Sequence, residues 1–63
     1  MTKIRAIIVD DEKRARNVLS NLLEGNCENI NVIAECADLP EAVEQIKLLH
    51  PDVVFLDVQM PNY

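Results

Sequence analysis

Aromatic residues are almost missing from this chain: Phe55 and Tyr63 are the only two among 63 residues. Any core is therefore thin and built from aliphatic side chains. Basic residues are also scarce, six against 11 acidic, for a net charge of −5. That balance excludes a direct nucleic-acid surface on these residues and suits a cation site. No apolar run approaches the roughly 18 residues of a membrane span. The start Met1-Thr2-Lys3-Ile4-Arg5 leads straight towards a strand rather than a signal peptide, so the expected location is cytoplasmic. The two cysteines, Cys27 and Cys36, lack metal-ligand spacing and are expected reduced, one as a loop thiol and one as a small buried hydrophobe. The single histidine, His50, stands before Pro51 with no nucleophile near it in sequence, and reads as a helix C-terminal cap.

What remains is the composition of one small globular domain, 49% hydrophobic and 27% charged. A chain of this size buries only about 60% of its unfolded surface. Ile4, Ala6, Ile7, Ile8 and Val9 give a strand apolar on both faces, the pattern of a central parallel strand (β1, 4–9). Ala15, Val18, Leu19, Leu22 and Leu23 recur at helical spacing after Asp10-Asp11-Glu12, predicting a helix over 11–24 that an aspartate caps and Gly25 stops. The stretch 30–36, interrupted on one face by Asn31 and Glu35, suits an edge strand. Asp38-Leu39-Pro40-Glu41 is a helix start, with Asp38 as N-cap and Glu41 placed to reach back. Leu39, Ala42, Val43, Ile46 and Leu49 continue that helix over 39–49. Val53-Val54-Phe55-Leu56 is a second strand buried on both faces (53–56).

The expected fold is α/β, a three-stranded parallel βαβαβ sheet with strand order 2-1-3. In that order the first and third strands are neighbours at the topological switch point, where open α/β sheets bind ligands. Asp10, Asp11 and Asp57 then meet at one rim. Alone, either feature would be a helix cap or a turn residue. Together, three mutually repelling carboxylates ask for a hard divalent cation, with Mg2+ the expected cofactor, and one of them could then serve as nucleophile towards a phosphoryl group.

The last strand carries none of the charges or prolines that guard a sheet edge. The sequence therefore reads as cut, with further elements covering that strand in a longer protein or supplied by another chain.

Val9-Asp10-Asp11-Glu12 after the first strand and Asp57-Val58-Gln59-Met60-Pro61 after the third, with the helix-strand-helix lengths between them, closely resemble the receiver domain of two-component response regulators. The opening 4–12 looks most like receivers that precede a LytTR-type DNA-binding domain. The resemblance covers all 63 residues but only the N-terminal half of that flavodoxin-like, doubly wound fold, with the output domain absent. It implies that Asp57 accepts a phosphoryl group from a sensor histidine kinase. It also implies that Asp11 ligates Mg2+ directly, that Asp10 acts mainly through water, and that Gln59 offers its backbone carbonyl. Met60 and Pro61 would shape the loop that follows. The family also uses a Ser or Thr and a Lys on later strands, and Lys3, Lys13 and Lys47 match neither. By this reading the domain is a phosphoacceptor rather than an enzyme, coupled to transcription through a missing DNA-binding domain and inactive as 63 residues alone.

Two other classes stay open. One is a structural fragment that self-associates through the β3 edge and uncovered helix faces. The other is a Mg2+-dependent phosphohydrolase with an aspartate nucleophile, although such enzymes place their two acids two residues apart after the first strand.

Overall fold

The computed structural model describes residues 3–26 and 28–57. Its elements are β1 (Ile4–Val9), α1 (Lys13–Asn26), β2 (Ile30–Cys36), α2 (Leu39–Leu49) and β3 (Val53–Leu56). The strands are parallel in the order β2-β1-β3. The chain moves outward from β1 to β2 and then back past β1 to β3, so crossovers of one hand put the two helices on opposite faces. Alternation along β1 shows the division. Ile7 and Val9 join Cys36 and Ala42 in the buried cluster beneath α2, with Ile33, Ala34 and Leu39 packed against it. Ile8 points the other way and lines a cavity with Leu19 of α1. Ala6, Ile7, Ile8 and Val9 are all essentially inaccessible to solvent, as a strand with partners on both edges and helices on both faces should be.

α1 differs from expectation at both ends, Lys13–Asn26 rather than 11–24. The reason is local. The Asp10 carboxylate accepts the Glu12 N–H (2.9 Å), bracing the loop, and the first helical bond runs from the Arg16 N–H to the Glu12 carbonyl (3.1 Å). Glu12 thus occupies the N-cap position, and neither Asp10 nor Asp11 caps the helix. Gly25 does not adopt a left-handed conformation and so does not stop it; instead the Asn26 side chain donates to the Leu22 carbonyl (3.1 Å) in the last turn. The inward face is also rotated from the one expected. Ala15, Arg16, Leu19, Ser20 and Leu23 turn towards the sheet, while Val18 and Leu22 remain 54% exposed.

α2 starts on the Asp38 cap, whose carboxylate accepts the Glu41 N–H (2.8 Å). Glu41 reaches back to the Ala37 N–H (2.7 Å), one residue before the cap. The helix ends at His50, held in the left-handed conformation with its N–H donating to Ile46 (3.0 Å). Of the expected apolar stripe, Ala42 is buried and Leu39 and Leu49 half-buried, whereas Val43 and Ile46 are exposed.

Register decides which residues arrive at the rim. Arg5 exchanges hydrogen bonds with Asp52: the Arg5 N–H donates to the Asp52 carboxylate and the Asp52 N–H to the Arg5 carbonyl, both at 2.8 Å. The Arg5 guanidinium also donates to the His50 carbonyl (3.0 Å). These bonds fix where β3 begins against β1, pairing Ala6 with Val53 and Val9 with Leu56. On the other side the register shifts between Ala6 and Ile7, leaving Ile33 as an extra residue of β2. Because of it, Ile33 and Ala34 both pack on the α2-side cluster, which regular alternation would separate.

β3 was expected to be buried on both faces; instead Val53 and Phe55 are half-buried and Val54 and Leu56 exposed. Among the described residues it pairs only with β1, and neither helix packs on it.

Truncating Ile7 by one methylene leaves a small void beside Val9, Cys36 and Ala42. Ile7→Val should lower stability by about 0.5–1.5 kcal/mol, read as a lower urea midpoint with an unchanged m-value.

Candidate metal centre

Two backbone hydrogen bonds carry the sheet pairing just past the strand ends. The Asp10 N–H donates to the Cys36 carbonyl and the Asp57 N–H to the Val9 carbonyl, both at 3.0 Å. Asp10 is thereby locked to β2 and Asp57 to β1, so the two residues are fixed side by side at the C-terminal rim. Asp11 follows in a bend outside the helix. One carboxylate oxygen each from Asp10, Asp11 and Asp57 lies within 4.8 Å of the others. Asp10 and Asp57 are half-buried and Asp11 is exposed. Asp10 and Asp57 line an open cavity of about 320 Å³ together with Ile8, Val9, Leu19, Phe55 and Leu56. Two of the acids thus share an open recess whose remaining walls are aliphatic and aromatic.

The donor set is all carboxylate oxygen, the preference of hard Mg2+ or Ca2+ and a poor match to softer, thiolate-seeking metals. Opposite ligands of a Mg2+ shell lie about 4.2 Å apart, and those of Ca2+ about 5 Å. Oxygens this close together can reach one shared ion, and the residues fit a divalent cation. Gln59, expected to add a backbone carbonyl, lies outside the described residues, as do Met60, Pro61 and Cys27.

Sequence patterning missed Arg16. Its Nη1 donates to the Asp10 carbonyl (2.7 Å) and its Nε lies 3.7 Å from the Glu35 carboxylate. The available signal was a charged residue one helical turn before Leu19 and Ser20, on what turned out to be the inward face. Glu35, noted only as an interruption of β2, is its partner.

A model of the response regulator receiver domain matches residues 6–63. The chain belongs to this family. The transcriptional regulatory protein BtsR of Salmonella typhi is 48% identical over 59 residues, spanning 94% of this chain and 24% of that protein. The protein-glutamate methylesterase/protein-glutamine glutaminase of Hydrogenovibrio crunogenus is 44% identical over 62 residues, 98% of this chain and 16% of that enzyme. Among solved structures, the signal receiver domain of NarL from Mycobacterium tuberculosis matches with a TM-score of 0.88 and 34% identity, over 97% of this chain and 48% of that one. The receiver sequence here thus spans a quarter or less of those two curated relatives and about half of the solved receiver. Relatives of different activity share it, so membership specifies the receiver and leaves the output open. Among the described residues no helix is long and apolar enough to cross a membrane.

Cys36, whose carbonyl anchors Asp10, has a fully buried side chain. Burial pushes its thiol above the usual range, and the Glu41 and Asp38 carboxylates add to the rise against the opposing Arg16 charge. The folded state therefore favours the protonated thiol. Its contribution to stability is complete below the unfolded thiol value and is lost as pH rises through the folded one. In a Cys27→Ser background, Cys36 should react with a maleimide only on unfolding, and the protein should lose stability above about pH 8.5 by an amount that Cys36→Ala removes.

Proposed function

We propose that this receiver is the phosphoacceptor of a two-component system, with Asp57 taking a phosphoryl group from the phosphohistidine of a sensor kinase. The observation that carries the reading is the meeting of Asp10, Asp11 and Asp57 within 4.8 Å at the rim of a receiver sheet. An Asp57 carboxylate oxygen attacks phosphorus and the phosphorus–nitrogen bond breaks with its electron pair going to nitrogen, giving an acyl phosphate and, from the phosphohistidine protonated on its other ring nitrogen, a neutral imidazole. Asp10, Asp11 and Asp57, with the backbone carbonyl of Gln59, would hold Mg2+. When bound, the ion neutralises charge on the phosphoryl oxygens. Asp57 is held by its backbone bond to Val9, which keeps the nucleophile at the end of β3 during the transfer.

The acceptor is modified rather than turned over, so we place these residues outside the enzymes even though some relatives carry an esterase elsewhere in their length. Adjacent acids at positions 10 and 11, with the third across the sheet, fit a phosphoacceptor better than a hydrolase. The relatedness to BtsR, a transcriptional regulatory protein, favours a transcriptional output, and we place the receiver in the cytoplasm as part of the two-component reading. Val54 and Leu56 on β3, which share the face of Ile7 and Val9, and Val18 and Leu22 on α1, across the sheet from them, are exposed apolar residues that want cover. The matched solved receiver is about twice this length, and we assign the cover to a second half of the same domain in preference to a second copy.

Incubation of the full-length protein with acetyl phosphate and Mg2+ should add one phosphoryl group by intact mass. Asp57→Asn or EDTA should abolish the adduct. Retention of the adduct in Asp57→Asn would refute Asp57 as the acceptor, and a monomer–dimer equilibrium in sedimentation would favour the second copy as cover.

A further inference from the structure

Asp10 is held by three separate bonds. Its N–H goes to Cys36 and its carboxylate accepts from Glu12, both within the sheet and the adjoining loop. The third comes from farther along the chain, where Arg16 Nη1 meets the Asp10 carbonyl at 2.7 Å, the short distance of a charge-assisted bond. That carbonyl belongs to the peptide joining Asp10 to Asp11. The peptide is planar, so fixing its oxygen fixes the direction in which the chain enters Asp11. Asp11 itself is exposed, and this peptide is what aims it.

Arg16 is an expensive residue for its place. It lies in the first turns of α1, where Lys13 and Arg14 already stand and the helix dipole disfavours a further cation, the first turn itself holding no acid. Its Nε is buried without a hydrogen bond, at ion-pair distance from Glu35. At an inward-facing position an apolar side chain of similar volume would serve stability as well or better. A purely architectural role does not account for the arginine.

We propose that Arg16 is a positioning residue of the metal site: bonded to the Asp10 carbonyl and steadied by Glu35, it orients the Asp10–Asp11 peptide so that both carboxylates face the cation. The inference rests on the cation-site reading above. It opposes a simple charge effect, which makes it decidable. Through space, removing the Arg16 charge would tighten cation binding and removing the Glu35 charge would weaken it. Positioning requires both to weaken it, Arg16 more.

The test is Mg2+ affinity of the full-length, unphosphorylated protein by calorimetry near 0.15 M salt, where screening acts over about 8 Å, with folding checked by circular dichroism. Arg16→Met should weaken binding about tenfold or more, the usual scale for residues that orient a metal's ligands. Glu35→Gln should weaken it less. Arg16→Lys keeps the charge but cannot fork between the carbonyl and Glu35, and should fall between wild type and Arg16→Met. Asp11→Asn is the control for the site itself and should abolish binding. If Asp11→Asn binds Mg2+ normally, the site reading fails and the inference fails with it. If Asp11→Asn fails to bind while Arg16→Met binds as well as wild type or better, the positioning role alone is overturned. Should Arg16→Met not fold, wild-type affinity in Arg16→Lys overturns it equally.

Discussion

The structure depends on β1 having a hydrogen-bonded partner along both edges. A strand so placed must be apolar on both faces, because helices cover it above and below, and Ile7, Ile8 and Val9 meet that demand in consecutive positions. The same pairing continues one residue beyond Val9 on either side, to Cys36 and from Asp57. Burial and chemistry are therefore connected through the backbone. The ladder that closes the core also sets the carboxylates of Asp10 and Asp57 next to each other, where like charges repel.

Away from the rim, the register is set by the polar contacts at the opposite end of the sheet. Arg5, His50 and Asp52 stand far from the acids, yet their bonds determine that Leu56 rather than Val54 faces Val9. A slip of one residue would turn β3 over and carry Asp57 away from Asp10. His50 contributes by accepting a left-handed backbone, an unfavourable conformation for a residue with a side chain. Its carbonyl is left pointing at Arg5.

The fold class, the strand order and the meeting of three acids were legible because each follows from hydrophobic period and chain connectivity. Four apolar residues ending in Asp57 and an apolar run ending in Asp10-Asp11 admit few parallel arrangements. What could not be read was anything decided by side-chain competition. The Asp10 carboxylate could cap α1 or brace its own loop, and only the positions of Glu12 and Arg16 in space select the brace. The inward face of α1 differs for a similar reason: Val18 and Leu22 fit the apolar period, but Arg16 and Ser20 take buried or half-buried positions that those two leave. Ser20 finds a partner in Glu24 at 3.5 Å, and Arg16 in Asp10 and Glu35. Pattern counting treats such residues as solvent-facing, so the part of the site built from them stayed hidden.

The additional residue in β2 gives insertions and deletions in that strand a direction. Ahead of Ile33, β2 pairs in one phase with β1; beyond it, the phase is shifted by one. Losing Ile33 itself would restore a regular ladder with both halves in their present pairs, Val32 on Ala6 and Ala34 on Ile7, whereas a one-residue shift of either half along β1 would exchange the faces of the half that moved. If the C-terminal half moved, Glu35 would turn towards the α2 cluster and Cys36 towards α1. The irregularity thus works as a reading frame for the sheet, and a one-residue shift too small to disturb the overall shape would be enough to scramble which face carries charge.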